Sequence, residues 1–195
     1  NDMVATVAHE LRTPLTSLRM AILLCLEQPD GQTGMHTGAT LLRTARDDCE
    51  RLQATVDELL DLARIQSGEV VLIRTRVPVA RLLGDAIAHA DPRARERGVT
   101  LVVPPVDDAL QVLADADRLQ LVFANLLGNA IRHSPAGGTV LLGATADGGF
   151  ARFEVADQGE GIAPEHAALV FDRFYRVPGA SAGGVGLGLA IAREL

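Results

Sequence analysis

The sequence predicts an α+β protein in two parts: a two-helix hairpin that dimerises into a four-helix bundle, followed by an α/β sandwich. Three observations lead to this prediction. Apolar residues recur at alternating spacings of four and three along two long segments before residue 68. A stretch rich in β-branched residues, ending in Pro78, then interrupts the pattern. After it, shorter helical and strand patterns alternate between glycine-rich turns.

The first 68 residues predict two amphipathic helices joined by a turn. The seam of the first helix consists of Val4, Ala8, Leu11, Leu15, Leu18, Ile22 and Cys25. The turn is at Gln28-Pro29-Asp30-Gly31, because proline blocks helix continuation and glycine permits positive φ. The second seam, ending near Ser67-Gly68, consists of Leu42, Ala45, Cys49, Leu52, Val56, Leu59 and Ala63. One hairpin cannot cover this apolar stripe, so we expect a homodimer.

A linker with a short strand is expected at residues 69–78, and a second domain at residues 79–195. In that domain the pattern predicts helices over 79–97 and 115–133 and a final helix from near Gly186. It predicts strands over 99–103, 139–146 and 151–157. Short turns between them favour helices packed on one face of a sheet.

Composition argues against two classes of function. The net charge is −7 at pH 7, and the sequence contains no clustered basic stretch, so we expect no nucleic acid as a partner. No apolar run approaches the roughly 18 residues that a bilayer-spanning helix needs. We therefore expect a soluble fragment without membrane contact of its own.

His9 lies one position from the seam residue Ala8, at the margin of the predicted bundle, where another molecule can reach its imidazole. Glu10 is adjacent, and a carboxylate beside an imidazole can accept its proton. Thr13 lies one helical turn further on the same face, where it can hydrogen-bond a water. On these residues alone, a solvated helix surface stays open as the alternative.

A predicted helix of the second domain carries polar residues on one face. Asn125 and Asn129 are four residues apart and offer amide oxygens of the kind that Mg²⁺ accepts. Arg132 follows within one turn and can neutralise phosphate, while His133 can stack on a ligand or hydrogen-bond to it. Taken singly, these residues are more typical of an ordinary helix surface than of a binding site.

Two glycine patterns follow. Asp157, Gly159 and Gly161 come after a predicted strand, where glycines let the backbone approach a flat ligand and the carboxylate can accept an amino hydrogen. Nearer the C-terminus, alternating glycines lead into a helix, where unpaired amide groups suit phosphates; the stretch contains Gly184, Gly186, Leu187 and Gly188. Alone, this second pattern also fits a flexible turn.

Together these segments resemble one family. Ala8-His9-Glu10-Leu11-Arg12-Thr13-Pro14-Leu15 resembles the phospho-acceptor motif of sensor histidine kinases almost letter for letter. The asparagine and glycine patterns resemble, in order and spacing, the ATP-binding domain that histidine kinases share with DNA gyrase, mismatch-repair ATPases and heat-shock chaperones. Between them, Phe171-Asp172-Arg173-Phe174-Tyr175-Arg176 resembles the phenylalanine box of histidine kinases.

The resemblance implies roles for the residues. His9 would be phosphorylated, with Glu10 as general base and Thr13 positioning water in a phosphatase reaction. ATP and Mg²⁺ would be the cofactors, with Mg²⁺ on Asn129 and adenine read by Asp157. The remaining ATP contacts would be Asn125, Arg132, His133, Gly159, Gly161, Gly184, Gly186, Leu187 and Gly188.

The resemblance also implies partners and context. A response-regulator receiver domain would accept the phosphoryl group, and the chain would be the cytoplasmic portion of a membrane-anchored sensor. The last helix continues further in relatives, so we expect a domain truncated at its C-terminus. Two other functions stay open: a mechanical ATPase of the gyrase and chaperone class, and a non-enzymatic dimer scaffold with a degenerate nucleotide pocket.

Overall fold

Two long helices precede a region of mixed helices and strands in the computed structural model of the chain. It describes residues 2–27, 35–68, 71–179 and 185–195, but not the side chains of residues 2–6, 9, 10, 27 and 35–37. The elements are α1 (Asp2–Glu27), α2 (Met35–Gln66), β1 (Thr75–Pro78), α3 (Val79–Arg97), β2 (Thr100–Val102), β3 (Gln111–Ala114), α4 (Ala116–His133), β4 (Thr139–Asp147), β5 (Phe150–Ala156), α5 (Pro164–Ala167) and α6 (Gly188–Glu194). The predicted α+β class is confirmed, while the predicted turn at residues 28–31 lies outside the described residues.

Helices α1 and α2 pack along each other as a hairpin. Pro14 and Ala21 of α1 are buried, as is Ala45 of α2. Leu15 and Ile22, which belong to the predicted seam, are 56% and 47% exposed. In the single chain, part of the apolar stripe therefore remains exposed after the two helices have packed together. None of the helices in the described ranges is both long and apolar enough to cross a bilayer.

The strands form two small sheets where the sequence predicted one. Strand β1 pairs with β3 in antiparallel register, from Thr75 opposite Ala114 to Pro78 opposite Gln111. In the other sheet β4 lies between β2, to which it is parallel, and β5, to which it is antiparallel. The sequence analysis missed β3 and α5, since four residues are too few to display a period.

The core of the second domain fixes the orientation of α4. Phe123, Leu127 and Ile131 of this helix are fully buried among residues of α3 and β4. The ring of Phe123 meets that of Phe153 edge-on, with centroids 5.2 Å apart. Because this face of α4 points inward, the polar residues on its other side are directed away from the core.

A cap holds the first turn of α4. The carboxylate of Asp115 accepts hydrogen bonds from the backbone nitrogens of Arg118, at 3.1 Å, and Ile73, at 2.9 Å. The bond from Ile73 and then that from Arg118 lower the pKa of Asp115. One side chain thus fastens both the start of α4 and the segment that leads into β1.

The C-terminal end of α2 packs against the second domain. Leu62 is buried in a cluster with Val185, Leu187 and Ile191. Nearby, Asp61 Oδ1 lies 3.9 Å from Arg118 Nη1 at the start of α4. The hairpin is therefore joined to the domain by direct packing as well as by the linker.

Candidate nucleotide and phospho-acceptor site

The outer face of α4 carries four residues singled out in the sequence, all half-buried: Asn125, Asn129, Arg132 and His133. The Asn125 side chain donates a hydrogen bond from Nδ2 to the carbonyl of Leu121, at 3.0 Å. Its Oδ1 then points at Gly188, where an added Cβ would lie only 2.6 Å from that oxygen. Gly188 therefore allows the start of α6 to meet the amide of Asn125.

The loop after β5 folds back onto the end of α4. Asp157 accepts a 2.8 Å hydrogen bond through Oδ1 from the backbone nitrogen of Gly159. A Cβ on Gly159 would lie 2.7 Å from the carbonyl oxygen of His133. Gly161 has a φ of 73°, in the left-handed region. The close packing of this loop on α4 therefore requires a glycine at position 159.

An open cavity of about 470 Å³ lies between the end of α4 and this loop. It is lined by Arg132, His133, Ser134, Pro135, Gln158, Gly159 and Glu160. Among the described residues the buried hydroxyl of Ser134 has no hydrogen-bond partner, which is unusual and fits a polar ligand. The sequence analysis missed Ser134, although a serine directly after a helix end was the available signal.

The described part of the last glycine pattern lies beside the phenylalanine box. Gly186 has a φ of 78°, and its carbonyl accepts a 2.9 Å hydrogen bond from the nitrogen of Phe174. Phe174 itself has a φ of 64°, a rare conformation for a bulky side chain. Leu187 is fully buried, and Gly184 lies outside the described residues.

Side-chain contacts hold Phe174 in this conformation from both sides. The pairs are Asp172 with Arg193 at 3.5 Å, Arg173 with Glu194 at 3.0 Å, and the Tyr175 hydroxyl with His166 Nδ1 at 2.7 Å. They fasten the segment to α6 and α5. A strained residue persists where its surroundings over-determine it, as they do here.

Phe174 reaches the hairpin beside the predicted phospho-acceptor. It lines a cavity of about 400 Å³ with Val7, Ala8, Leu11, Leu59, Leu62, Ala63 and Gln66. His9 and Glu10 belong to α1, directly after two of these residues, and their side chains lie outside the described part. Thr13 follows on α1 with an exposed side chain. The helical turn that bears His9 therefore adjoins the phenylalanine box.

Charges from both parts of the chain converge near Arg132. Burial and the positive charge of Arg93 lower the pKa of Arg132, and the negative charge of Glu58 opposes them. Burial raises the pKa of Glu58, against the influence of Arg132 and Arg93. A carboxylate of α2 thus lies within the field of two arginines of the second domain.

The side chains at this site could bind a metal ion only together with a nucleotide. In the described ranges there is no group of three His, Cys, Asp or Glu side chains that could hold an ion. Mg²⁺ bound with a nucleotide takes most of its ligands from phosphate oxygens and water, so one or two amide oxygens suffice. The asparagines of α4 fit that requirement.

Comparison with known families accounts for both parts of the chain. Residues 1–68 match the family described as His Kinase A (phospho-acceptor) domain, and residues 114–195 match the histidine kinase-, DNA gyrase B-, and HSP90-like ATPase family. The chain belongs to the sensor histidine kinases. The hairpin corresponds to the phospho-acceptor family, and the α/β region from residue 114 onward corresponds to the ATPase family.

Known relatives of this histidine kinase are longer than the chain. Sensor protein DivL of Caulobacter vibrioides is 36% identical over 194 residues, which cover 100% of the chain and 24% of DivL. Full-length ShkA, solved in complex with AMPPNP, is 32% identical with a TM-score of 0.66, over 99% of the chain and 40% of ShkA. ThkA, solved in complex with the response regulator protein TrrA, has a TM-score of 0.74 at 24% identity, over 100% of the chain and 53% of ThkA, and shares the fold. The chain thus spans between a quarter and about half of these proteins.

Proposed function

We propose that this protein transfers the γ-phosphoryl group of ATP to His9 and from there to an aspartate of a response regulator. The observation that carries the proposal is a juxtaposition. The asparagine face of α4, the loop after β5 and the start of α6 adjoin one another, and Phe174 next to them lines a cavity with the α1 turn that bears His9. Such proximity of nucleotide and acceptor is what phosphoryl transfer requires.

Each part of the nucleotide has a matching group. Asp157, whose Oδ1 bonds to Gly159, would accept an adenine amino hydrogen through its other oxygen, and His133 would line the base. Arg132 and the backbone amides of the last glycine pattern would contact the phosphates; that pattern is Gly184, Gly186, Leu187 and Gly188. Asn129, with Asn125 beside it, would hold Mg²⁺, which offsets the negative charge of the phosphates when bound.

The chemistry needs one nucleophile and one base. One imidazole nitrogen of His9 attacks the γ-phosphorus in line, so that an N–P bond forms while the bond to the bridging oxygen breaks and ADP leaves. Glu10 accepts the proton released from the other ring nitrogen. In the reverse direction of signalling, Thr13 positions the water that hydrolyses the phosphorylated regulator.

The partners follow from the two domains. A second copy of the chain would cover the exposed apolar side of the hairpin, which includes Leu15 and Ile22. A response-regulator receiver would take the phosphoryl group from His9, as ThkA's complex with TrrA illustrates for that protein.

We place the chain in the cytoplasm and its parent at the membrane. As working boundaries we take residues 1–68 and 79–195, with β1 of the linker paired to the second domain.

The test is incubation with Mg²⁺ and γ-labelled ATP, followed by measurement of label on the protein. Wild type should acquire label that is labile in acid and stable in base, as expected of a phosphoramidate. His9→Gln and Asn129→Ala should lose it, while His89→Gln, an exposed histidine on α3, should retain it. Label that persists in His9→Gln, or ATP binding without label in wild type, would contradict the proposal.

A further inference from the structure

The C-terminal part of α2 docks on the second domain through one apolar and one charged contact. Leu62 is buried in a cluster with Leu187 and Ile191 of that domain. The preceding residue, Asp61, holds its Oδ1 atom 3.9 Å from Nη1 of Arg118. The Arg118 side chain is 30% exposed and that of Asp61 22%, so solvent screens this ion pair less than it screens pairs on the open surface.

Arg118 connects the first turn of α4 with two carboxylates. Its backbone nitrogen donates a hydrogen bond to the capping residue Asp115, at 3.1 Å, while its side chain extends to Asp61 of α2. The positive end of the helix dipole disfavours an arginine in the first turn of a helix. The two carboxylates supply the stabilisation that the helix itself does not, and one of them belongs to the hairpin.

The contact with α2 lies on the same stripe of α4 as the first asparagine. Arg118, Leu121 and Asn125 follow one another at spacings of three and four residues. Leu121 packs on the cluster around Leu62, and its carbonyl accepts the 3.0 Å hydrogen bond from Asn125, whose Oδ1 faces Gly188. Arg118 and Asn125 are about 10 Å apart along the helix axis. A displacement at Arg118 would therefore be carried by α4 to the proposed nucleotide site.

The docked part of α2 lies at the level of the acceptor turn. Leu62 lines the cavity of about 400 Å³ together with Ala8 of α1 and Phe174. His9 directly follows Ala8, and Asp61 directly precedes Leu62. The ion pair therefore joins the second domain to the hairpin close to the turn that bears His9.

We propose that Asp61 and Arg118 form the positioning contact that sets the nucleotide site of the second domain against the α1 turn that bears His9. The inference rests on the proposed function, since it concerns how ATP is presented to His9. Neither residue contacts the nucleotide; the pair acts through α4, whose first turn it holds against α2, while Leu62 supplies the apolar part of the contact. Because alignment of donor and acceptor governs the rate of transfer, the pair should affect that rate and not the affinity for ATP.

The experiment measures the initial rate of His9 labelling by γ-labelled ATP with Mg²⁺ over a range of ATP concentrations, and AMPPNP affinity by titration calorimetry, both on the full chain. Asp61→Arg and Arg118→Asp each place like charges side by side, so each should lower the limiting rate by about fivefold to tenfold. The ATP concentration at half of that rate and the AMPPNP affinity should stay within about twofold of wild type. The double variant restores opposite charges and should recover the limiting rate to within about twofold.

The matched controls carry the same charge reversals at exposed positions. They are Asp57→Arg, one turn before Asp61 on α2, and Arg95→Asp on α3, where the arginine pairs with Asp91. Both should label at the wild-type rate, because neither residue belongs to the contact between α2 and α4.

Each outcome decides the inference. An unchanged limiting rate in either single variant overturns it, and so does a faster rate, which would make the contact a restraint on transfer. A loss that the double variant does not recover, an equal loss in the controls, or weaker AMPPNP binding in the single variants overturns it as well. In all these cases labelling of His9 in the wild type leaves the proposed kinase function standing. If the wild type acquires no label, both proposals fall together.

Discussion

At the scale of single residues, the arrangement of polar groups around α4 depends on glycines that face them. Gly188 admits the Asn125 amide, Gly159 admits the His133 carbonyl, and Gly128 admits the Arg93 guanidinium. In each case a Cβ would stand at or within 3.4 Å of the atom concerned. The site is therefore shaped by missing side chains as much as by those present.

Gly188→Ala tests this dependence directly. The new methyl group displaces Asn125 and breaks its hydrogen bond to Leu121, so we expect affinity for AMPPNP with Mg²⁺ to fall by about tenfold. Alanine's helix preference offsets part of the strain, so the free energy of unfolding should change by less than about 1 kcal/mol. Calorimetry and urea unfolding measure the two effects.

The control for that variant is a glycine in open space. Gly84 lies in α3 with no atom within 4 Å of an added Cβ. Gly84→Ala should raise the free energy of unfolding by about 0.5–1 kcal/mol and leave nucleotide affinity unchanged. Equal affinities for Gly188→Ala and wild type would show that Asn125 tolerates displacement.

The sequence identified most of these residues by type and spacing but not by contact. Asn125, Asn129 and the glycines could be selected because their motifs are local. The position of Arg93 could not be predicted, because α3 and α4 are distant in sequence and Arg93 meets Gly128 only in the folded chain. The position of Ser134 after a predicted helix end was visible in the sequence, but the burial of its hydroxyl without a partner among the described residues was not.

At the scale of elements, Asp115 connects the segment before β1 to the helix that carries the asparagines. Its two carboxylate oxygens accept separate hydrogen bonds, from Ile73 and from Arg118. These two hydrogen bonds lower the pKa of Asp115 below its usual 3.8, so the folded state favours the charged carboxylate. This contribution to stability is present above pH 3.8 and is lost as pH falls through the lower value of the folded state.

Asp115→Asn should therefore destabilise the protein in a pH-dependent way. An amide has one acceptor oxygen, so only one of the two bonds can remain, and Asp115→Ala should be worse still. The melting temperature of Asp115→Asn should lie below that of wild type at pH 7, and the difference should shrink as the pH is lowered below 3.8. Asp108→Asn, an exposed loop carboxylate, serves as control. A difference independent of pH would refute the role of the charge.

Elements differ in how far the sequence predicts them. The long periodic segments α1 and α4, and the C-terminal end of α2, were predicted within a few residues, because apolar spacing is dictated by the face that each helix buries. The pairing of β1 with β3 was not predicted, because short strands are specified by their partner and β3 has only four residues. The division into two sheets follows from that pairing.

At the scale of the whole molecule, the hairpin has two apolar regions with different surroundings. Leu62 is buried against the ATP-binding domain of the same chain, whereas Ile22 and Leu15 remain about half exposed. An exposed apolar region of this kind calls for a covering surface, and in our proposal a second copy supplies it. Docking of the domain and dimerisation should then depend on different residues.

Two substitutions separate these contacts. Ile22→Asp places a charge in the proposed dimer interface and should yield monomers in sedimentation velocity, with hydrogen exchange in α6 unchanged.

Leu62→Ala removes the side chain that contacts Leu187 and Ile191, at a cost of about 2–3 kcal/mol for such a truncation. It should remain dimeric while exchange in α6 accelerates, because the domain undocks more often. Monomers formed by Leu62→Ala would show that both contacts share one surface.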